Sequence, residues 1–198
     1  MQKKLLLLTL ATVLLTGCIP TKKQDSTVSL TKEKIVTITP TPAPIEQKAE
    51  VNPMEKIDAK TATIKTSKGD ITIELYPDET PLTVQNFLTK AKSDYYKNLI
   101  FHRVESWVLQ GGDPKGTGTG GGPLPTELSA RQFEIGSVGV ARGGDIKVSN
   151  DSQFFICTDD CSWLTGQYTN FGKVTKGMDV AKKMQVGDTI LGITYTAK

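Results

Sequence analysis

FHRVESWVLQGGDPKGTGTGGG, residues 101–122, is the stretch on which the reading of this chain turns. It runs from one histidine and one arginine, through an apolar patch, into a loop that is mostly glycine. Gly116-Thr-Gly118-Thr-Gly120-Gly121 matches G-x-G-x-x-G letter for letter. A dinucleotide cradle needs a strand, the glycines, and then a helix whose amino end faces the pyrophosphate. Here Pro123-Leu124-Pro125 follows instead. Two prolines remove two N–H donors from any such helix start, and no helical period follows them. No G-K-[ST] is present either. The glycines therefore read as a flexible surface loop leaving a strand, with Asp113-Pro114 as the turn that starts it. The chemistry moves upstream, to Arg103 and its surroundings.

Outward from this stretch, short apolar runs recur between turn residues. Residues 61–66 and 71–75 alternate apolar and polar, and Ser67-Lys68-Gly69-Asp70 between them predicts a hairpin. A helix follows. Thr80 is its candidate cap, Pro81 suits the first helical position, and Val84, Phe87, Leu88 and Ala91 share one face. Further strands are expected at 100–104, 107–110, 137–141, 153–157, 170–174 and 189–195, with a second short helix at 178–184. Many short strands and two helices, without regular βαβ alternation, predict a mainly β fold: an antiparallel sheet closed into a barrel.

The ends differ from this core. Lys3 and Lys4 precede an apolar run, residues 5–15, too short to span a bilayer as a helix. The run ends in Leu15-Thr16-Gly17-Cys18, which resembles the bacterial lipoprotein signal. That resemblance implies cleavage after residue 17, a lipid on Cys18, and an exported protein on the extracytoplasmic face of a bacterial cell membrane. Residues 18–57 read as a tether, with Thr39-Pro40-Thr41-Pro42-Ala43-Pro44 favouring extended conformations. Residues 58–198 form the domain. The net charge of +3 resides wholly in the first 57 residues, which hold eight Lys against five Asp and Glu; the domain holds sixteen of each sign. A neutral domain argues against nucleic acid as partner. Cys157 and Cys161 form an even pair that either bridges in an oxidising compartment or remains one buried and one loop thiol; with His102 distant in sequence they make a poor metal site.

Phe101-His102-Arg103-Val104, Gln110-Gly111-Gly112-Asp113 and Ser152-Gln153-Phe154-Phe155-Ile156 closely resemble cyclophilin-type peptidyl-prolyl isomerases. So do Pro81-Leu-Thr-Val-Gln-Asn-Phe87, Trp163-Leu164 and Phe171-Gly172-Lys173-Val174. The resemblance spans about residues 60–196. It implies an eight-stranded antiparallel barrel capped by two helices, no cofactor or metal, and proline-containing peptides and folding exported proteins as partners; a monomer is the simplest expectation. The resemblance also implies roles. Arg103, one of three arginines in the chain, is the catalytic residue, and Gln110 holds its guanidinium. Phe155, Val108, Leu164 and Trp107 build the proline pocket, Trp163 its rim and Tyr168 its base. Gln153 and the backbone at Arg142 contact the peptide. His102, next to Arg103 on a strand, is expected to face away from the pocket. Three departures stand out. The segment between Arg103 and Gln110 is one residue short, Trp107 replaces the usual phenylalanine, and Tyr168 replaces a histidine. The competing reading is a proline-peptide-binding or chaperone module with little turnover.

Overall fold

A hairpin opens the structure, a computed structural model that describes residues 57–197. β1 (Ala59–Thr66) pairs antiparallel with β2 (Gly69–Leu75), and Thr66 lies opposite Gly69. The two-residue connection matches the predicted turn. β1 buries Ala62 and Ile64, and β2 buries Ile71, Ile73 and Leu75, the inward half of each alternation.

The remaining elements are α1 (Pro81–Lys92), β3 (Phe101–Val104), β4 (Val108–Gly111), β5 (Pro123–Pro125), β6 (Ser137–Arg142), β7 (Val148–Cys157), β8 (Asn170–Lys176), α2 (Met178–Ala181) and β9 (Ile190–Ala197). A single 3-10 turn, Ser162–Leu164, lies between β7 and β8. Among the described residues eight strands form one antiparallel path, β3-β4-β7-β6-β8-β2-β1-β9. Its two ends meet through backbone bonds: Asn98 N–H to Ile190 O, Ile190 N–H to Leu99 O, and Phe101 N–H to Asp188 O. This is the mainly β antiparallel barrel with two helices that the alternation predicted, with the eight strands that the resemblance implies. The expected lipoprotein leader, Cys18 and the expected tether as far as residue 56 lie outside the described residues.

β5 is an addition to the expectation. Pro123, Leu124 and Pro125 pair with Asn150, Ser149 and Val148 of β7. Prolines lack the N–H for a central ladder but are tolerated on an edge. α2 is shorter than expected. After Ala181 the chain tightens into three-residue turns, with Lys183 N–H bonding Val180 O and Met184 N–H bonding Ala181 O. Met184 is nevertheless buried in the core.

α1 buries Val84, Phe87, Leu88 and Ala91 along the predicted stripe. Phe87 is the plug: its ring lies 5.4 Å from Tyr96, 5.8 Å from Phe154 and 5.3 Å from Phe171. The cap is not the expected one. Thr80 stands at the N-cap position, but its hydroxyl donates to Tyr76 O. The free amides of Leu82 and Thr83 instead donate to the Glu127 carboxylate, at 3.0 and 2.8 Å. A carboxylate here also complements the positive end of the helix.

β7 is buried on both faces, and that feature creates the site. Phe154 and Ile156 point into the barrel core, while Phe155 and Cys157 join a second cluster with Val108, Phe133, Cys161 and Leu164. β4 divides likewise, Leu109 inward and Val108 outward. Cys157 and Cys161 are joined in a disulfide, which decides the alternative left open by the sequence. The bridge ties the end of β7 to the turn that carries Trp163 and Leu164.

Candidate functional site

The second cluster floors a cavity of about 420 Å³. Phe155 is 4 % exposed and supplies the floor. Its ring stacks on Phe133 at 5.8 Å and meets Tyr168 edge-on at 5.8 Å. Gly139 lies opposite Phe155 in the β6–β7 register. A side chain there would strike the rings of both Phe155 and Phe133, so the bare backbone is what lets Phe155 lie flat. Val108 and Leu164 complete the apolar wall, with Trp107, Tyr168 and Ala141 at its sides.

Arg103 enters the same cavity from β3. Arg103 and Gln110 are direct cross-strand partners. This places Arg103 Nη1 3.3 Å from Gln110 Oε1, which accepts its hydrogen bond. Arg103 Nε donates to Glu105 Oε1 at 2.7 Å, and the guanidinium lies 5.2 Å from the Trp107 ring centroid. The cavity thus sets a fixed, partly committed cation beside a small apolar floor.

The other expected residues divide. Gln153 is buried and does not line the cavity: its amide donates to Gly120 O at 2.8 Å, and its Oε1 accepts from Gln110 Nε2 at 3.0 Å. It braces the glutamine that braces Arg103, rather than presenting itself to a peptide. Trp163 is half exposed, outside the cavity lining, with its ring 5.2 Å from Trp107 at the edge. Arg142 lines the cavity and lies over Tyr168 at 4.4 Å, with Nε donating to Gln167 O at 2.8 Å.

His102 corrects the sequence reading. It lines the cavity beside Thr117 and Gly118, where it was expected to face away. The cause is an irregularity in the β3–β4 register between Phe101 and Arg103, which breaks strict alternation at that point. Burial holds its imidazole below the ordinary histidine value, against the pull of Asp113.

The glycine loop is filled from within. Asp113 is buried, and its carboxylate accepts from the backbone N–H groups of Lys115 at 2.9 Å, Thr117 at 2.8 Å and Gly118 at 2.5 Å. Amides that could cradle a phosphate are taken by the chain's own anion. Gly120 packs against the same carboxylate and has no room for a side chain. The loop is therefore wrapped around Asp113, not a flexible excursion, and its far end is strand β5.

Burial alone would raise the Asp113 pKa, but the three amide donors outweigh it and hold the carboxyl below its usual range. A depressed folded value means that Asp113 contributes stability in full above the usual carboxylate pKa of about 4 and loses it as pH falls through the folded value. We expect the melting temperature of the wild type to show an acid limb that is shallower in Asp113→Asn. Thermal melts between pH 2 and 6 (roughly, spanning the ordinary carboxylate range) check this; parallel limbs would remove Asp113 from that role.

A family model described as cyclophilin type peptidyl-prolyl cis-trans isomerase/CLD matches residues 61–194, from within β1 to within β9. The chain belongs to the cyclophilin family. A peptidyl-prolyl cis-trans isomerase of Helicobacter pylori is 42 % identical over 147 residues, covering 70 % of this chain and 90 % of that protein. Peptidyl-prolyl cis-trans isomerase 9 of Schizosaccharomyces pombe is also 42 % identical, over 136 residues; the match spans 66 % of this chain but only 22 % of that longer protein. Among solved structures, a cyclophilin type isomerase of Cryptosporidium parvum superposes with a TM-score of 0.64 at 29 % identity, covering 71 % of this chain and 99 % of that one. The same protein has been solved in the presence of the dipeptide Ala-Pro.

Of the cyclophilin positions expected from sequence, Arg103, Gln110, Phe155, Val108, Leu164, Trp107, Tyr168 and Arg142 converge around the cavity or on its arginine. Sequence reasoning missed His102, Thr117, Gly118 and Ala141 as lining, and Glu105 as an arginine partner. Only Glu105 left a signal: it lies two residues from Arg103 on an extended chain, hence on the same face.

Proposed function

We propose that this cyclophilin catalyses cis-trans rotation about Xaa-Pro bonds by holding the proline ring against Phe155 and stabilising the twisted amide with Arg103. Amide resonance sets a rotation barrier of about 18–20 kcal/mol, so the uncatalysed exchange takes tens to hundreds of seconds. Rotation needs no nucleophile, metal or proton transfer. It needs a site that binds the twisted amide better than either planar form. In the twisted state the prolyl nitrogen regains its lone pair, and a permanently charged guanidinium beside it stabilises that form. One observation carries the reading: a fixed arginine and the apolar Phe155 floor share one cavity. The Ala-Pro dipeptide present with the Cryptosporidium relative supports proline peptides as the ligand class. In a protease-coupled assay on an Xaa-Pro peptide, the chain should abolish the slow phase at substoichiometric amounts. A slow phase unchanged at any concentration would reject the enzyme reading and favour a binding module.

We further propose that the isomerase works outside the cytoplasm, lipid-anchored through Cys18 and acting on exported proteins as a monomer. Leu15-Thr16-Gly17-Cys18 after a short apolar run supports this, as does the Cys157–Cys161 disulfide, which suits an oxidising compartment. Lipid chains contributing about 0.8 kcal/mol per buried CH₂ would make attachment by more than one chain nearly permanent. Metabolic labelling with a fatty acid should mark the wild type and not Cys18→Ala. Label that persists in the variant, or is missing from both, would sink the anchor.

A further inference from the structure

We propose that Glu105 is a positioning residue for the isomerase reaction, setting the orientation of Arg103 and Trp107 together through its two carboxylate oxygens; this rests on the function proposed above. The short connection between β3 and β4 produces the arrangement. Glu105 N–H bonds Val108 O at 2.9 Å and Val108 N–H bonds Glu105 O at 3.3 Å, so only Ser106 and Trp107 turn the chain. That tight turn extends the β3 conformation to Glu105 and puts it on the face of Arg103. Oε1 then accepts from Arg103 Nε at 2.7 Å, and Oε2 accepts from Trp107 Nε1 at 3.1 Å. The Arg103–Glu105 contact is closer than the 3.3 Å bond to Gln110.

With Nε committed to Glu105 and one N–H of Nη1 to Gln110, the guanidinium plane is fixed at two edges. The Nη2 edge is left for the peptide. The same carboxylate fixes the indole over which the guanidinium lies, so catalyst and pocket wall move as one unit. Hydrogen bonding to Arg103 holds the Glu105 carboxyl below its usual range, so it stays ionised at neutral pH. Arg103 and Glu105 are 41 % and 48 % exposed, and an ion pair of that exposure contributes little to stability. Its effect belongs to geometry, where a displacement of about 1 Å can cost up to ~100-fold in rate.

The test uses the full chain and three variants, Glu105→Ala, Glu105→Gln and Arg103→Ala, with kcat and KM from exchange line shapes on an Xaa-Pro peptide and melting temperatures for each. Glu105→Ala should lose roughly tenfold in kcat, with KM moving less than about twofold and the melting temperature unchanged. Glu105→Gln keeps an oxygen acceptor and should recover most of that loss. Glu105→Ala within twofold of wild type overturns the inference. So does an equal loss in Gln and Ala, which would assign the effect to charge alone, or a loss matched by a fall in melting temperature. An Arg103→Ala protein as active as wild type would instead reject the underlying function.

Discussion

Arg103→Ala should lower kcat/KM about 10²- to 10³-fold, the cost of removing one preorganised donor from a site of developing charge, or roughly 3–4 kcal/mol of transition-state stabilisation. Most of the loss should fall on kcat, because the Phe155 floor still receives the proline ring. The fold should be nearly indifferent. The side chain is 41 % exposed and its partners Glu105 and Gln110 are polar groups that water can satisfy, so stability should stay within about 1 kcal/mol of wild type. Steady-state or line-shape kinetics beside a thermal melt check both halves. Lysine at this position should not restore the rate: it keeps a charge but has no planar fork to bond Glu105 and Gln110 at once.

Phe155→Ala should damage both binding and stability. The ring is buried against Phe133, Tyr168 and the bare backbone of Gly139. Its removal leaves a cavity at the junction of β6, β7 and the disulfide-bridged turn, at a cost of about 3–5 kcal/mol. For a domain of this size that corresponds to a fall of roughly 10–15 °C in melting temperature. KM for an Xaa-Pro peptide should rise together with it, since the lost ring is the floor on which proline packs. Phe154→Ala is the matched control. Its ring points to the other face, into the aromatic cluster around Phe87, so it should destabilise without a comparable rise in KM. If the two variants raise KM alike, Phe155 acts only as core.

The resemblance was enough to assign Gln110 to Arg103 and Phe155 to the pocket, and the structure pairs the first two across β3 and β4 and sets Phe155 on the face opposite Phe154. Those features are local: period-two faces and hairpin register follow from a few consecutive residues. What the sequence did not show depends on distant contacts. The carboxylate that caps α1 comes from Glu127, 45 residues beyond Leu82. The prolines of β5 form a strand only because β7 offers an edge to pair with. His102 enters the cavity because of a register irregularity that no periodicity announces. Gln153, expected to contact the peptide, has its amide consumed by Gly120 and Gln110, partners brought by the glycine loop and the neighbouring strand. The glycines, expected as a flexible surface loop, are instead ordered around the Asp113 carboxylate, a contact no local pattern announces.

The most direct test of the account is exchange NMR on an Ala-Pro-containing peptide with catalytic amounts of the full chain, run beside Arg103→Ala. Wild type should give cis-trans exchange cross-peaks within a mixing time far shorter than the uncatalysed tens of seconds. Arg103→Ala should give none, while peptide shifts on titration show that it still binds. Cross-peaks of equal intensity from both proteins would contradict the claim that Arg103, held beside the Phe155 floor, is what lowers the barrier.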